Sequence, residues 1–347
     1  MPARLTSSAL LAAAALATLG ACADSARLTA PTSAASADRA LPEFNQPNKH
    51  IFHTREYFAR EDASNGAQRS ARPSSGTGIS YHGGQLLTAQ TKVAAVYWAT
   101  SPIYANGPTP GSSNTAGNSG DNSLVGYFLS NLGPSTYFNI NTTYYQGTAS
   151  VQNNVAYTQY WANNSYNVPT GTASVSDADM LAMLTNGFQT GQLKYDSTTV
   201  YAIFTAGSVN LGGGFVTQYC AYHTHGTVST PTGTHTVLYA AMPYNASAKS
   251  SCTSGFNPAN GATVDPGADY EVNTLAHEIE ETTTDMMGNA WYDSRGYENA
   301  DKCAWTWGST AVDPATNGTY NMTIGTKKFL VQQNWVNANS GGCALHL

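Results

Sequence analysis

The spacing of apolar and polar residues changes several times along the chain, and each change marks an element. KVAAVYWAT, Lys92 to Thr100, is a dense apolar and β-branched run and predicts a buried strand. In NSLVGYFLSNLG, Leu124, Tyr127, Phe128 and Leu132 fall at helical spacing, and Gly133-Pro134 ends the pattern. Tyr144 to Asn163 alternates with period two, which predicts a hairpin turning at Asn153-Asn154. Ser176-Asp177-Ala178-Asp179 opens a helix whose apolar face is Met180, Leu181, Leu184 and Phe188. TVYAIFTA (Thr199 to Ala206), THTVLYAAMPY (Thr234 to Tyr244) and KKFLVQQNWV (Lys327 to Val336) read as further strands. Strands and helices alternate early and a loop-rich tail follows. The class expected is α+β, a mixed sheet with a few covering helices.

Residues ahead of this pattern read differently. The apolar run from Ala9 to Leu19 is too short for a permanent membrane helix and has the layout of a secretory signal, assigned to residues 1–21. Leu19-Gly20-Ala21-Cys22 resembles a lipobox, which would make Cys22 a lipid anchor; ordinary signal cleavage beside an incidental Cys is the alternative. Residues 22–75 are rich in Ala, Ser, Pro, Arg and Asn with little apolar periodicity, so they are expected to form a tether or pro-segment. The folded domain is placed at 76–347. Four Cys remain after Cys22, an even number that suits two disulfides in an exported chain. Three pairings are open; Cys220 with Cys252 and Cys303 with Cys343 are favoured because each closes a modest loop.

Charge is scarce: 10% of residues are charged and the net charge is −6. That excludes a polycation for nucleic acid, and no later run is apolar enough to span a membrane. Against this background AHEIEETTTD, Ala276 to Asp285, stands out. At 100° per residue, Val272, Leu275, Ile279 and Met286 share a sector of about 60°. His277, Glu278, Glu281 and Asp285 lie roughly opposite. His277 and Glu281, at i and i+4, can reach one ion, and Glu278 follows the His as the catalytic Glu does in His-Glu-x-x-His zinc peptidases. A solvated acidic helix face is the bland alternative. Eight carboxylates and no Lys or Arg lie between Lys249 and Arg295, which favours a bound cation.

Zinc catalysis needs a third protein ligand and an open position. Glu298, in YENADKC, is the preferred third ligand, with Asp301 as supporting partner or substitute. His223 and His225, in AYHTHG, point the same way if they lie on a strand. They either complete the metal site, bind the reacting carbonyl's developing charge, or form a polar strand end. His82, in YHGG, reads as a turn residue.

Several segments together resemble the EXORDIUM family, also called phosphate-induced protein 1, found in plant cell walls and in bacteria. The resemblance rests on His277-Glu278-Ile279-x-Glu281, Asn289-Ala290-Trp291-Tyr292 and Glu298-x-Ala300-Asp301-x-Cys303, in that order. Tyr81-His82-x-Gly84-x-Leu86-Leu87, Cys220-x-x-His223 and Phe329-Leu330-Val331-Gln332 add to it. The chain departs from the plant pattern in having Asp285-Met286 where Asn-Pro is usual. The resemblance implies an extracellular, wall- or surface-associated protein without specifying a reaction.

The residues themselves lead to a zincin-like domain hydrolysing a peptide or amide bond with Zn²⁺. His277, Glu281 and Glu298, with Asp301, would hold the metal. Glu278 would act as general base, and His223 or His225 would stabilise the oxyanion. The alternative is a non-catalytic surface protein with a structural metal, binding peptide or cell-wall polymer. Either form would be exported, as an outer-membrane lipoprotein or an extracellular protein, touching a membrane only through Cys22.

Overall fold

The buried run beginning at Lys92 becomes the middle of a seven-stranded mixed sheet in the computed structural model, which describes residues 49–64, 69, 76–244 and 251–347. These residues all fall in one unit of the chain, 40–347. The segment expected to be a signal, and Cys22, expected to be a lipid anchor, lie outside the described residues.

In chain order, β1 is His50–His53, α1 Arg55–Ser64, β2 Thr91–Trp98 and β3 Ser113–Asn114. Then come α2 Leu124–Asn131, β4 Val155–Asn163, α3 Asp177–Gln189 and β5 Thr199–Thr205. The antiparallel pair β6 Tyr219–Thr230 and β7 Gly233–Pro243 precedes the long helix α4, Pro266–Thr284. The sheet runs β1-β6-β7-β5-β2-β4-β3. β4, β2, β5 and β7 are parallel, while β1, β6 and β3 join antiparallel at the edges.

Helices cover both faces, which explains why β2 is continuously apolar rather than alternating. Val93, Ala95 and Tyr97 enter a core shared with Leu129 of α2 and with Val272, Leu275 and Ile279 of α4. Ala94, Val96 and Trp98 meet Met180, Leu184 and Phe188 of α3. Ser176 caps α3 through a reciprocal box with Asp179, as its sequence suggested.

Three expectations change. The alternation from Tyr144 to Asn163 is not one hairpin turning at Asn153-Asn154. Tyr145–Gln146 and Ala149–Ser150 form a small hairpin, and β4 instead pairs parallel with β2. Lys327–Val336 is not one strand but two short ones, Lys327–Phe329 and Asn334–Val336, each with its own partner. Residues 49–64, within the segment whose composition suggests a tether, form β1 and α1. Phe52 anchors β1, fully buried and stacked between His277 (3.9 Å between ring centres) and Trp305 (4.7 Å).

The cysteines pair as Cys220–Cys252 and Cys303–Cys343, the favoured arrangement, which fits maturation in an oxidising environment. Among the described residues no helix is long and apolar enough to cross a membrane.

Candidate metal centre

Helix α4 begins where Asp265 accepts the Ala268 N–H at 3.1 Å and Pro266 occupies the first turn. Val272, Leu275 and Ile279 of its expected apolar stripe face the core, while Met286 lies past the helix end, partly buried against the same core. Its acidic face, however, is buried too: His277, Glu278, Glu280 and Glu281 are all 0% exposed. That removes the solvated-face reading. Part of that buried face is satisfied within the helix: Thr282 and Thr283 donate to the carbonyls of Glu278 (2.6 Å) and Ile279 (2.7 Å). Glu280, on another side, accepts from the amides of Asn141 and Asn334. Asp285, past the end, accepts the N–H groups of Asn289 (2.6 Å) and Ala290 (2.7 Å).

The remaining side chains meet other elements. His277 Nε2 lies 3.1 Å from Glu281 Oε1 and 3.6 Å from Asp301 Oδ1. Asp301 starts a short 3-10 turn, Asp301–Cys303, whose place is fixed in two ways. Its backbone N–H donates to Glu281 Oε1 at 2.8 Å, and Cys303 is bonded to Cys343. From the sheet edge come His50 and His223, directly opposite one another in the β1–β6 ladder, with their rings stacked at 4.9 Å. His50 Nδ1 lies 2.6 Å and His223 Nε2 3.7 Å from Glu298 Oε2. The other nitrogen of His223, Nδ1, lies 3.0 Å from Glu278 Oε2 and 3.7 Å from Glu281 Oε2.

His277, Glu278, Glu281, Glu298, Asp301 and His223, all candidates from the sequence, therefore lie together. His225 is only half-buried and stands outside the metal-capable groupings. His50 was missed. The signal for it was weak: His50 and Phe52, two apart in HIFH, share a strand face, inside a stretch whose composition reads as non-core. His82 stacks on Tyr292 at 3.7 Å, where Ser80–Tyr81 pairs with Trp291–Tyr292.

These groups lack partners to a degree that buried polar atoms rarely tolerate. Both nitrogens of His277, both oxygens of Glu298, His223 Nε2, Glu278 Oε1, Glu281 Oε2 and Asp301 Oδ1 are buried without a hydrogen bond. Glu298 Oε2 is unpaired although His50 lies 2.6 Å away, so the two are close but not aligned on each other. Among the described residues no Lys or Arg forms an ion pair with Glu278, Glu281, Glu298 or Asp301. Arg69 approaches, but donates to the main-chain carbonyl of Asp301.

Protonation responds accordingly. Burial pushes the Glu278, Glu281, Glu298 and Asp301 carboxyls well above their usual range, and neighbouring carboxylates add to the shift. Burial lowers His277 to about 4, against the pull of Asp301, and His50 to about 4. His223 is driven well down by burial and then by His50 and His277. Neutral imidazoles and acids with no organic counter-charge could hold a cation, because a divalent ion reverses the cost of ionising the acids. Three groupings have ligand atoms close enough to hold an ion: His277, Glu281 and Asp301; His50, His223 and Glu298; and His223, Glu278 and Glu281.

A cleft of about 570 Å³ opens onto this cluster, with His50 and Asp301 in its wall and Tyr57, Tyr292 and Tyr297 around it. Gly288 also lines it and has φ +72°; a Cβ there would sit 2.2 Å from His50 Nε2. Only glycine both adopts that backbone and leaves room for the ring.

The motifs that carry the family resemblance converge here. Gly84 N–H donates to the Asn289 carbonyl at 2.9 Å, and Gln332, whose backbone N–H donates to Asn273 Oδ1 at 2.7 Å, lies against His277. No curated protein and no solved structure matches the chain. Residues 129–345 match the phosphate-induced protein 1 conserved region, which spans four of the sheet's seven strands, all of α4 and all six metal-capable donors outside β1; the chain belongs to the phosphate-induced protein 1, or EXORDIUM, family.

Proposed function

We propose that this protein is an exported, metal-dependent hydrolase acting on a peptide or other amide bond of an extracellular polymer. The observation that carries the reading is the join between cluster and cleft: a mostly buried set of His and carboxylate donors with many unpartnered atoms, two of whose members, His50 and Asp301, line an open cleft. A purely structural site is usually closed by its protein ligands. The nitrogen and carboxylate donors suit Zn²⁺, which would supply Lewis acidity toward a carbonyl and toward water. His277, Glu281 and Asp301 or Glu298 would hold it, in the zincin-like manner suggested by His-Glu-x-x-Glu on α4. Glu278, with Oε1 unpaired and Oε2 on His223, would take the proton of the attacking water and return it to the leaving amine. His225, two residues beyond His223 on β6, is the group we assign to the developing negative charge.

The second reading is a wall- or surface-binding protein with a structural metal. It is favoured by the complete burial of His277, Glu278, Glu281 and Glu298 and by the three tyrosines of the cleft, which suit a polymer face. One experiment separates them. The full chain and Glu278→Gln are purified, their metal content is measured, and both are assayed on a broad peptide library. Zinc in both proteins, with cleavage lost in the variant by at least a hundredfold, supports the hydrolase. Zinc in both with no cleavage by either supports the structural site. Absence of metal from both, even after zinc is supplied, overturns both readings.

A further inference from the structure

The donors are too many for one ion, and two of the three groupings share no residue. Glu281 and Asp301 converge on His277 Nε2 from α4 and the Asp301 turn. Glu298 lies under the stacked pair of His50 and His223 at the sheet edge. We propose that the site is dinuclear, one divalent cation resting on His277, Glu281 and Asp301 and a second on His50, His223 and Glu298. This deepens the metal-dependent reading above and rests on it.

Three observations carry the inference. The first is the tautomer of His223. Its Nδ1 lies 3.0 Å from Glu278 Oε2 in hydrogen-bonding alignment; with Glu278 ionised beside a bound cation, Nδ1 donates and Nε2 keeps its lone pair. Nε2 is buried and unpartnered and faces Glu298. His223 therefore donates on the His50 side. The grouping of His223 with Glu278 and Glu281 is not a third ion site but the contact that orients the imidazole. Glu278 is, on this assignment, a positioning residue for the second centre as well as a base.

The second observation is charge. Four carboxylates, Glu278, Glu281, Glu298 and Asp301, are buried together with no Lys or Arg paired to them among the described residues. One divalent ion balances two of them and two ions balance all four. The third is the disposition of Glu281 between the triads. Its Oε1 faces His277 at 3.1 Å, while Oε2, unpartnered, faces His223 at 3.7 Å. The two triads also open on the same space, because the cleft wall takes Asp301 from one and His50 from the other. Two ions beside one cleft can hold the attacking and the leaving atom of a hydrolysed carbonyl or ester group from opposite sides.

Zinc alone, added to the metal-free full chain, tests the proposal by stoichiometry. Two equivalents are expected per chain, one in His277→Ala, one in His50→Gln and none in the double variant. One equivalent in the parent, lost in His277→Ala and kept in His50→Gln, overturns the second centre while leaving the metal-dependent reading intact. No zinc in the parent overturns both. A readout without variants guards against misfolding: Co²⁺ absorption in the parent should rise to two equivalents, and saturation at one counts against the proposal.

Discussion

Gly288 decides whether His50 reaches Glu298, and no metal-ligand pattern would have singled it out. The residue holds φ +72° with His50 Nε2 where a side chain would begin. Gly191 has nearly the same φ, +70°, with nothing within 4 Å of the Cβ position. Alanine at either position costs about 1–2 kcal/mol in backbone strain, but only at 288 does it displace a donor. Gly288→Ala is expected to weaken zinc binding at least tenfold, while Gly191→Ala lowers stability alone. Competition with a chelator of known affinity measures the difference, and equal zinc affinities in the two variants would show that His50 holds no metal. His277, Glu278 and Glu281 were legible because one helix carries them at a spacing that geometry converts directly into proximity. His50 was not, because its nearness to His223 is a cross-strand pairing between segments far apart in the chain. Hydrogen bonds of that ladder leave no periodic trace in either segment.

Helix α4 shows how far a pattern carries at the scale of an element. The wheel correctly separates Val272, Leu275 and Ile279 from the acidic residues, yet it cannot tell water from protein on the second face. What distinguishes this helix is what that face meets: threonines bond backward, Glu280 takes two amides on one oxygen, and His277, Glu278 and Glu281 converge on the site. The misread hairpin has the same origin. Val155 to Asn163 alternates enough to suggest an antiparallel neighbour, but its partner is the parallel strand β2, a choice made by crossover topology. Burial within α4 also has a consequence away from the donors. Asp269, 6% exposed in the first turn, accepts from the Asn260 backbone (3.0 Å) and side chain (2.8 Å), and burial still raises it to about 6. Its unfolded value is about 3.9, so the native state binds the proton more tightly. Stability from this group is therefore fully present below about pH 4 and is lost as the pH rises through about 6, by roughly 3 kcal/mol at most. Asp269→Asn does not titrate. The parent's stability relative to the variant should fall between pH 4 and 6 and stay level above, on top of a constant offset from the altered bonds to Asn260. Urea midpoints at four pH values check this; a difference independent of pH would refute it.

Over the whole molecule, the site is a meeting point of β1, β6, α4 and the Glu298–Asp301 turn, so its geometry depends on long-range closure rather than on any one motif. The cysteine count indicated two closures and loop length favoured the pairing found. Cys303–Cys343 closes 40 residues and adjoins Asp301 and Glu298, whereas the Asp301 N–H bond to Glu281 is the other restraint on that turn. By loop entropy alone, Cys303→Ser with Cys343→Ser should cost about 4 kcal/mol. If the bond also positions the metal-binding turn, its loss and the loss of metal cannot be independent. Zinc stabilises the native state by an amount set by its affinity, so a turn freed from Cys343 should bind zinc more weakly and gain less from it. The zinc-induced rise in melting temperature is thus expected to be clearly smaller in the double variant than in the parent at the same zinc concentration, with a positive coupling between disulfide and metal. Thermal melts of both proteins, each with zinc and with chelator, complete the cycle. Equal rises would mean that the disulfide stabilises the fold without holding the site, and that the Glu281 contact to Asp301 suffices to keep the donors together.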